Sequence, residues 1–281
     1  MTKKNAQLGL ILSALFWGVS GVLTQIALKE VSTMFLILFR FTISTGLALL
    51  VFRSFPLDKK YIKHGLILST LLMVIYLSSN EGLKYTSASN AGFIIGANVI
   101  LVPLINRFVF KKSLDKTIYF KSMVCLLGLA LITLKGANPL NKGDFYCFID
   151  AIAYSLYIIY NSQLDPKLEP KKLITIQYTF VSLFSLTYIG MFEGITLSLS
   201  TTALMSILLL GGLCTFLAFY FQLQSQRILS AEKSSQILSL IPIFTIMFDL
   251  IFMGVIMSPA AIIGACMVIS ITIERPKKIL I

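Results

Sequence analysis

Three ionisable side chains interrupt stretches that are otherwise apolar: Arg40 in Phe39-Arg40-Phe41, Asp150 in Ile149-Asp150-Ala151, and Asp249 in Phe248-Asp249-Leu250. A charge near the centre of a bilayer costs about 2.5–3.5 kcal/mol even on the most lenient insertion scale, so each needs a partner, water or a ligand. A guanidinium suits a carboxylate, and a buried carboxylate suits an ammonium group or a proton. Arg40 can equally be balanced by Asp150 or Asp249. A structural ion pair and a substrate- or proton-binding site both fit the residues. Glu81 and Glu193 sit nearer the ends of their stretches, where a solvated carboxylate is ordinary, and Arg107 is placed to snorkel.

Polar and aromatic side chains recur around these charges at helical spacing. Asp150, Tyr154, Tyr157 and Asn161 fall on one helical face, as do Ser13, Trp17, Ser20 and Thr24. Tyr76 with Asn80, Thr215 with Gln222 and Gln226, and Ser235 with Ser239, Pro242 and Asp249 give further stripes. A single stripe is explained by interhelical hydrogen bonds of about 0.6 kcal/mol, reaching about 2. Several together imply a shared wet cavity. The candidate binding set is Trp17, Arg40, Tyr76, Asn80, Asn98, Asp150, Tyr154, Tyr157, Gln222 and Ser239. Trp17, Tyr154 and Tyr157 would pack the apolar part of a ligand or hold an ammonium group. Asp150, Asp249, Pro103 and Pro242 are the candidate coupling or gating residues.

Other chemistries find no support. His64 is the single histidine, and Cys125, Cys147, Cys214 and Cys266 sit in apolar stretches without ligand-like spacing, so neither a metal nor another cofactor is expected. There is no Walker motif and no nucleophile–base pair, and the chain is not read as an enzyme. A membrane-embedded lipid-handling enzyme is the remote alternative.

The elements that must position these residues are membrane spans. The chain has 281 residues, 57% hydrophobic and 13% charged, with a mean hydropathy of +0.87. About 20 apolar residues cross a hydrocarbon layer of roughly 30 Å. Spans are expected at 6–28, 33–52, 62–83, 88–110, 117–135, 143–162, 172–192, 201–224, 232–255 and 258–274, the first read as a true helix and not a signal peptide. The net charge of +12 does not imply nucleic acid. With the N-terminus inside, eighteen of the 24 Lys and Arg fall in inner segments and four in outer ones, while Arg40 and Arg107 lie within spans. That is the positive-inside bias, and it predicts cytoplasmic termini facing an anionic lipid surface.

The ten spans divide into two sets of five, residues 1–136 and 143–281. Five is odd, so the second set enters from the opposite side: an all-α membrane protein built as two inverted repeats, an architecture of secondary transporters. Ala88-Ser89-Asn90-Ala91 and Ala231-Glu232-Lys233-Ser234 open the fourth and ninth spans. Pro103 and Pro242 follow those alanines by 15 and 11 residues, which implies an extra turn in the first half. Each proline reads as a packing kink or as a hinge. Gly128-Leu129-Ala130 and Gly264-Ala265-Cys266 would allow the fifth and tenth spans to pack closely.

Gly82-Leu83-Lys84-Tyr85-Thr86-Ser87-Ala88, Ala91-Gly92-Phe93 and Val102-Pro103-Leu104 resemble the third-to-fourth-span signature of the EamA family, within the drug/metabolite transporter superfamily. Phe16-Trp17-Gly18, Arg40-Phe41, Gly143-Asp144, Thr215-Phe216-Leu217-Ala218-Phe219, Gln222 and Gln226 resemble its other markers, so the similarity runs over nearly the whole chain. The chain departs from the pattern at Ile241-Pro242, where Glu-Pro is common, at Gly254-Val255, where Gly-Glu is expected, and at Asp150 and Asp249. The resemblance implies ten helices in two inverted halves, cytoplasmic termini, a central cavity lined by spans 1–4 and 6–9, and a location in the bacterial inner membrane. It implies export of amino acids or related metabolites by alternating access; Asp150 and Asp249 make protons a candidate coupling ion, and the charge distribution points to no nucleic-acid partner. Uptake of a cationic solute such as a quaternary amine is the alternative. The sequence fixes no oligomeric state.

Overall fold

The computed structural model describes residues 1–53, 55, 58–86, 88–133, 141–193, 199–253 and 258–272; residues 88, 89, 249, 252 and 253 are described in backbone only. Secondary structure among them is helical. The first helices are α1 (Lys3–Ala27), α2 (Thr33–Phe52) and α3 (Lys59–Leu83). Thr2, Ser32 and Asp58 start them by accepting a backbone N–H from the first turn. α6 (Lys116–Thr133), α7 (Lys142–Gln163), α8 (Pro170–Phe192) and α13 (Pro259–Thr272) are also single helices. A reciprocal cap between Asn141 and Asp144 fixes the start of α7. Seven stretches of the described chain are long and apolar enough to cross a membrane, and the protein is a multi-pass membrane protein.

Three of the expected spans are not plain α-helices. The fourth divides into α4 (Ala88–Gly96) and α5 (Asn98–Phe108), the ninth into α11 (Ala231–Leu238) and α12 (Ile241–Met253). The eighth runs as α9 (Thr201–Leu209), a π-helical segment (Leu210–Leu217) and α10 (Ala218–Gln226). The breaks correct the expected offset. α4 has nine residues and α11 eight, so the two spans break at nearly the same distance from their starts. The extra turn inferred from the prolines is not there. Pro242 is the second residue of α12, where a missing N–H leaves nothing unsatisfied. Pro103 lies inside α5, six residues beyond the break at Ala97. Asn98 Nδ2 donates to Ile95 O at 2.9 Å, and Ser239 Oγ donates to Gln236 O at 2.6 Å, so each interruption is covered by a side chain.

Packing repeats between the two halves. α2 lies on α8, α6 on α13 and α5 on α11; α3 packs against α7 and α8 as the eighth span packs against α1 and α2. Arg40 and Gln177 are the eighth residues of α2 and α8. The next residues, Phe41 and Tyr178, meet with ring centroids 5.8 Å apart. Gly128 and Gly264 face each other. A Cβ on Gly128 would stand 2.8 Å from Gly264 O, so the fifth and tenth spans touch backbone to backbone.

Candidate functional site

A cavity of about 290 Å³ opens between α1, α3, α4, α7 and α12. Its walls come from the later parts of α1, α3 and α6, the earlier parts of α2, α7 and α13, and the stretches of α4 and α12 next to the span breaks, which places it toward the end of the bundle away from Lys3 and Thr272. Seven of the ten expected binding residues line it: Trp17, Arg40, Tyr76, Asn80, Asn98, Asp150 and Tyr154. Pro242 lines it as well.

The other three expected binding residues are elsewhere. Tyr157 is fully buried and donates to Gln177 Oε1 at 2.9 Å. Gln222 is buried, with Nε2 3.4 Å from the Tyr154 hydroxyl. Ser239 closes the α11–α12 break. Pro103 is buried in α5 and is not part of the wall. The side chain of Asp249 lies outside the described residues.

Arg40 is anchored to backbone and hydroxyls, and no ion pair joins it to Asp150 among the described residues. It is 3% exposed. Its Nε donates to Thr215 Oγ1, and Nη2 donates to Ser20 Oγ at 3.2 Å and to Cys214 O at 3.3 Å. The guanidinium carbon sits 4.6 Å from the Tyr76 ring centroid, a cation–π contact. Trp17 Nε1 donates to the same Cys214 carbonyl at 2.8 Å. The Trp17 ring is edge-on to Phe219 at 4.9 Å and to Tyr154 at 6.0 Å. These contacts gather on the π-helical segment, whose carbonyls take side-chain donors besides the backbone bonds of its own winding.

Asp150 differs from Arg40 in having an oxygen without a hydrogen-bond partner. It is 2% exposed, Ser79 is its hydroxyl neighbour, and its Oδ1 accepts no hydrogen bond. Asn80 Nδ2 and Asn98 Oδ1 are likewise buried and without partners. Two acceptors and one donor, from α7, α5 and α3, are therefore buried and unpaired on residues that line the same cavity. Such atoms in a dry wall are destabilising unless water or a ligand completes them. Ser20, Thr24, Ser79, Thr133 and Phe219 are among the lining residues beyond the expected set. Ser20 and Thr24 already lay on the Trp17 stripe; no pattern pointed to Ser79 or Thr133.

At the span ends and beyond them, carboxylates tie the connections. At the cavity end Glu30 accepts from Ser200 N at 2.7 Å and Ser200 Oγ at 2.6 Å, and these bonds hold its pKa low. Glu81 accepts from Thr33 at 2.8 Å and Lys84 at 2.6 Å, and Glu193 from Ser32 at 2.5 Å. Both are thus more than solvated ends. At the other end Asp165 pairs with Lys60 at 2.7 Å, which keeps its carboxyl below its ordinary value. His64 bonds the Tyr160 hydroxyl at 2.7 Å. Among the described residues no His, Cys, Asp or Glu cluster could hold a metal.

The model of the EamA-like transporter family matches residues 4–134 and 141–273. An uncharacterized transporter of Archaeoglobus fulgidus (strain ATCC 49558 / DSM 4304 / JCM 9628 / NBRC 100126 / VC-16) is 28% identical over 94% of this chain and 83% of its own. A second from the same organism is 24% identical over 85% and 86%. The uncharacterized transporter YyaM of Bacillus subtilis (strain 168) is 26% identical over 67% of this chain and 64% of its own. A solved crystal structure superimposes with a TM-score of 0.81 over 96% of both chains at 14% identity, a likeness of fold.

Proposed function

Since the chain belongs to the EamA-like transporter family, we propose that it is a secondary carrier that moves an amino acid or a similar small zwitterion across the bacterial inner membrane, outward, by alternating access. Its ten spans would form two inverted five-span repeats with both termini in the cytoplasm, the orientation favoured by the basic inner segments. The cavity would then face the outside. Its volume is near the lower limit of the roughly 300–1,000 Å³ of ligand pockets, which suits one small metabolite.

The observation that carries this reading is the unpaired set at the cavity wall. Asp150 Oδ1 and Asn98 Oδ1 would accept from an ammonium group, and Asn80 Nδ2 would donate to a carboxylate within reach of Arg40. Trp17, Tyr76 and Tyr154 would pack the carbon skeleton. A proton on Asp150 in the absence of substrate would couple transport to pH, because the site would exchange one cation for another. The interrupted spans α4–α5 and α11–α12 would supply the moving parts.

A second reading is favoured by one specific feature. Arg40 is already engaged by Thr215, Ser20 and Cys214 O, whereas Asp150 is open. A ligand with an ammonium group and no carboxylate, such as a quaternary amine, would need nothing from Arg40.

Purified protein in proteoliposomes separates the two. We expect saturable counterflow of a labelled amino acid, inhibited by other amino acids, with its pH dependence lost in Asp150→Asn. Counterflow of choline-like amines alone would replace the zwitterion with a cation. Absence of flux for both classes would remove the carrier reading of this cavity.

A further inference from the structure

The end of the bundle opposite the cavity holds a second set of polar side chains that line no opening. Asn161 near the end of α7, Gln177 in α8, Gln222, Ser225 and Gln226 late in α10, and Ser234 in the first turn of α11 are each 1% exposed or less. Each has at least one side-chain atom without a hydrogen-bond partner, and in Asn161 and Gln226 both amide atoms lack one. The helices that carry them interlock: α10 packs on α7 and α8, and α11 packs on α7. An unpaired amide in a dry interior is destabilising. A plug that stayed closed permanently would be better built from leucine.

The layer also stands where the repeat puts the counterpart of the cavity wall. Gln177 holds the position in α8 that Arg40 holds in α2. Arg40 bonds Ser20 of the preceding repeat helix α1; Gln177 bonds Tyr157 of the corresponding helix α7. The two layers differ in state. At the cavity end α4 and α12 barely touch, whereas at the other end α5 and α11 pack together. Asn106 Nδ2 donates to Glu232 Oε1 at 2.5 Å across that contact, and both residues are buried. This bond links the two family-matched segments, 4–134 and 141–273.

We infer that this layer is the collapsed inner vestibule of the transport path, and that the Asn106–Glu232 bond is its latch. The inference rests on the reading of the chain as an alternating-access carrier. When α5 and α11 part, water and then substrate complete the idle amides and hydroxyls. Neutral amides offer both donors and acceptors, so the vestibule takes either end of a zwitterion without holding it. The charged wall near Arg40 and Asp150 is the binding layer, and the amide wall is the exit.

Cysteine accessibility tests this. Ser225→Cys, Ser234→Cys and, as a cavity control, Ser258→Cys are placed in a chain whose native cysteines are replaced by alanine and which still exchanges amino acids. A membrane-impermeant thiol reagent is applied from either face. Ser258, on the cavity wall, should label from the face opposite the termini. Positions 225 and 234 should label only from the face of the termini. Adding Glu232→Gln should speed that labelling about tenfold, the effect of losing one charge-assisted hydrogen bond on a two-state equilibrium. If position 258 labels and exchange continues while 225 and 234 stay unreactive from both faces, the vestibule is refuted and the carrier reading stands. If position 258 fails to label and no exchange occurs, the carrier reading itself fails, and the vestibule with it. Should the cysteine-free chain not exchange, hydrogen exchange of the native chain decides: faster exchange in α10–α11 for Glu232→Gln supports the latch, and unchanged exchange overturns it.

Discussion

The third span and its counterpart five spans on use the same length of chain in opposite ways. α3 has 25 residues and stays α-helical throughout; Thr201–Gln226 has 26 and is π-wound over Leu210–Leu217. In α3 the hydroxyls of Ser69, Thr70 and Ser78 fold back onto carbonyls of their own helix. In the eighth span the carbonyls themselves receive bonds from outside. Gly211 O accepts from Ser44, Cys214 O from Trp17 and Arg40, Thr215 O and Phe216 O from Tyr178, and Ala218 O from Ser13. Three helices, α1, α2 and α8, are thereby fastened to one segment. The consequence is a division of labour. α3 lends side chains to the cavity wall, among them Asn80 with its unpaired Nδ2, while the eighth span absorbs the charge of Arg40 and holds the wall still.

The contrast is broken most severely at Arg40. Arg40→Leu leaves Thr215 Oγ1 and Ser20 Oγ without their donor and Cys214 O with Trp17 alone. We expect a loss of about 2–3 kcal/mol in unfolding free energy in detergent and at least a tenfold drop in exchange rate. Arg40→Lys should recover only part of either, because a point ammonium cannot reach both sides of the fork. A variant that melts with the parent would mean the π segment does not depend on this anchor.

A smaller effect tests shape. A Cβ on Gly211 would stand 2.8 Å from Ile43 Cβ and 3.1 Å from Arg40 O, so Gly211→Val must push α2 away, at a cost of about 1–3 kcal/mol. Its neighbour Gly212 meets only Leu47 Cδ1 at 3.8 Å. Gly212→Ala should therefore leave the melting midpoint unchanged or slightly higher. Equal destabilisation by the two would show that the winding, not the contact with α2, demands glycine.

The sequence patterns reached the membrane class and most of the polar side chains of the cavity wall, for definable reasons. Apolar length marks spans in any context, and the stripes through Trp17, Tyr76 and Asp150 mark inward faces because polar groups avoid lipid. Tyr157 and Asn161 share the Asp150 stripe and Gln222 the Thr215 stripe, but all three sit deeper, where the neighbouring helices close. Helical phase gives direction and says nothing of whether two walls stand apart. The breaks were legible only in part. Pro242 sits at one, whereas the other falls at Gly96-Ala97, and Pro103 is carried inside α5. The π segment had a trace in Gly211-Gly212, but no periodicity signals a change of winding. The pairing of Arg40 with the Cys214 carbonyl and the Thr215 and Ser20 hydroxyls, instead of a carboxylate, depends on that segment and was invisible for the same reason.

The finest distinction between the two spans is a pair of serines, both fully buried and both within reach of two carbonyls. Ser44 Oγ lies 2.7 Å from Gly211 O and 2.8 Å from Arg40 O. Ser69 Oγ lies 2.6 Å from Gly65 O, its own helix, and 3.3 Å from Gln177 O. A hydroxyl has one hydrogen to give. In α3 it goes to a carbonyl that the regular ladder already supplies, so Ser69→Ala should cost below about 0.5 kcal/mol. In α2 the shorter contact serves a carbonyl inside the π segment, and Ser44→Ala should cost about 1 kcal/mol. Chemical denaturation of both variants in the same detergent reads the difference. If Ser69→Ala proved the costlier, the dependence of the eighth span on donors from outside would lose its physical basis, since the regular helix would need its hydroxyl more than the irregular one.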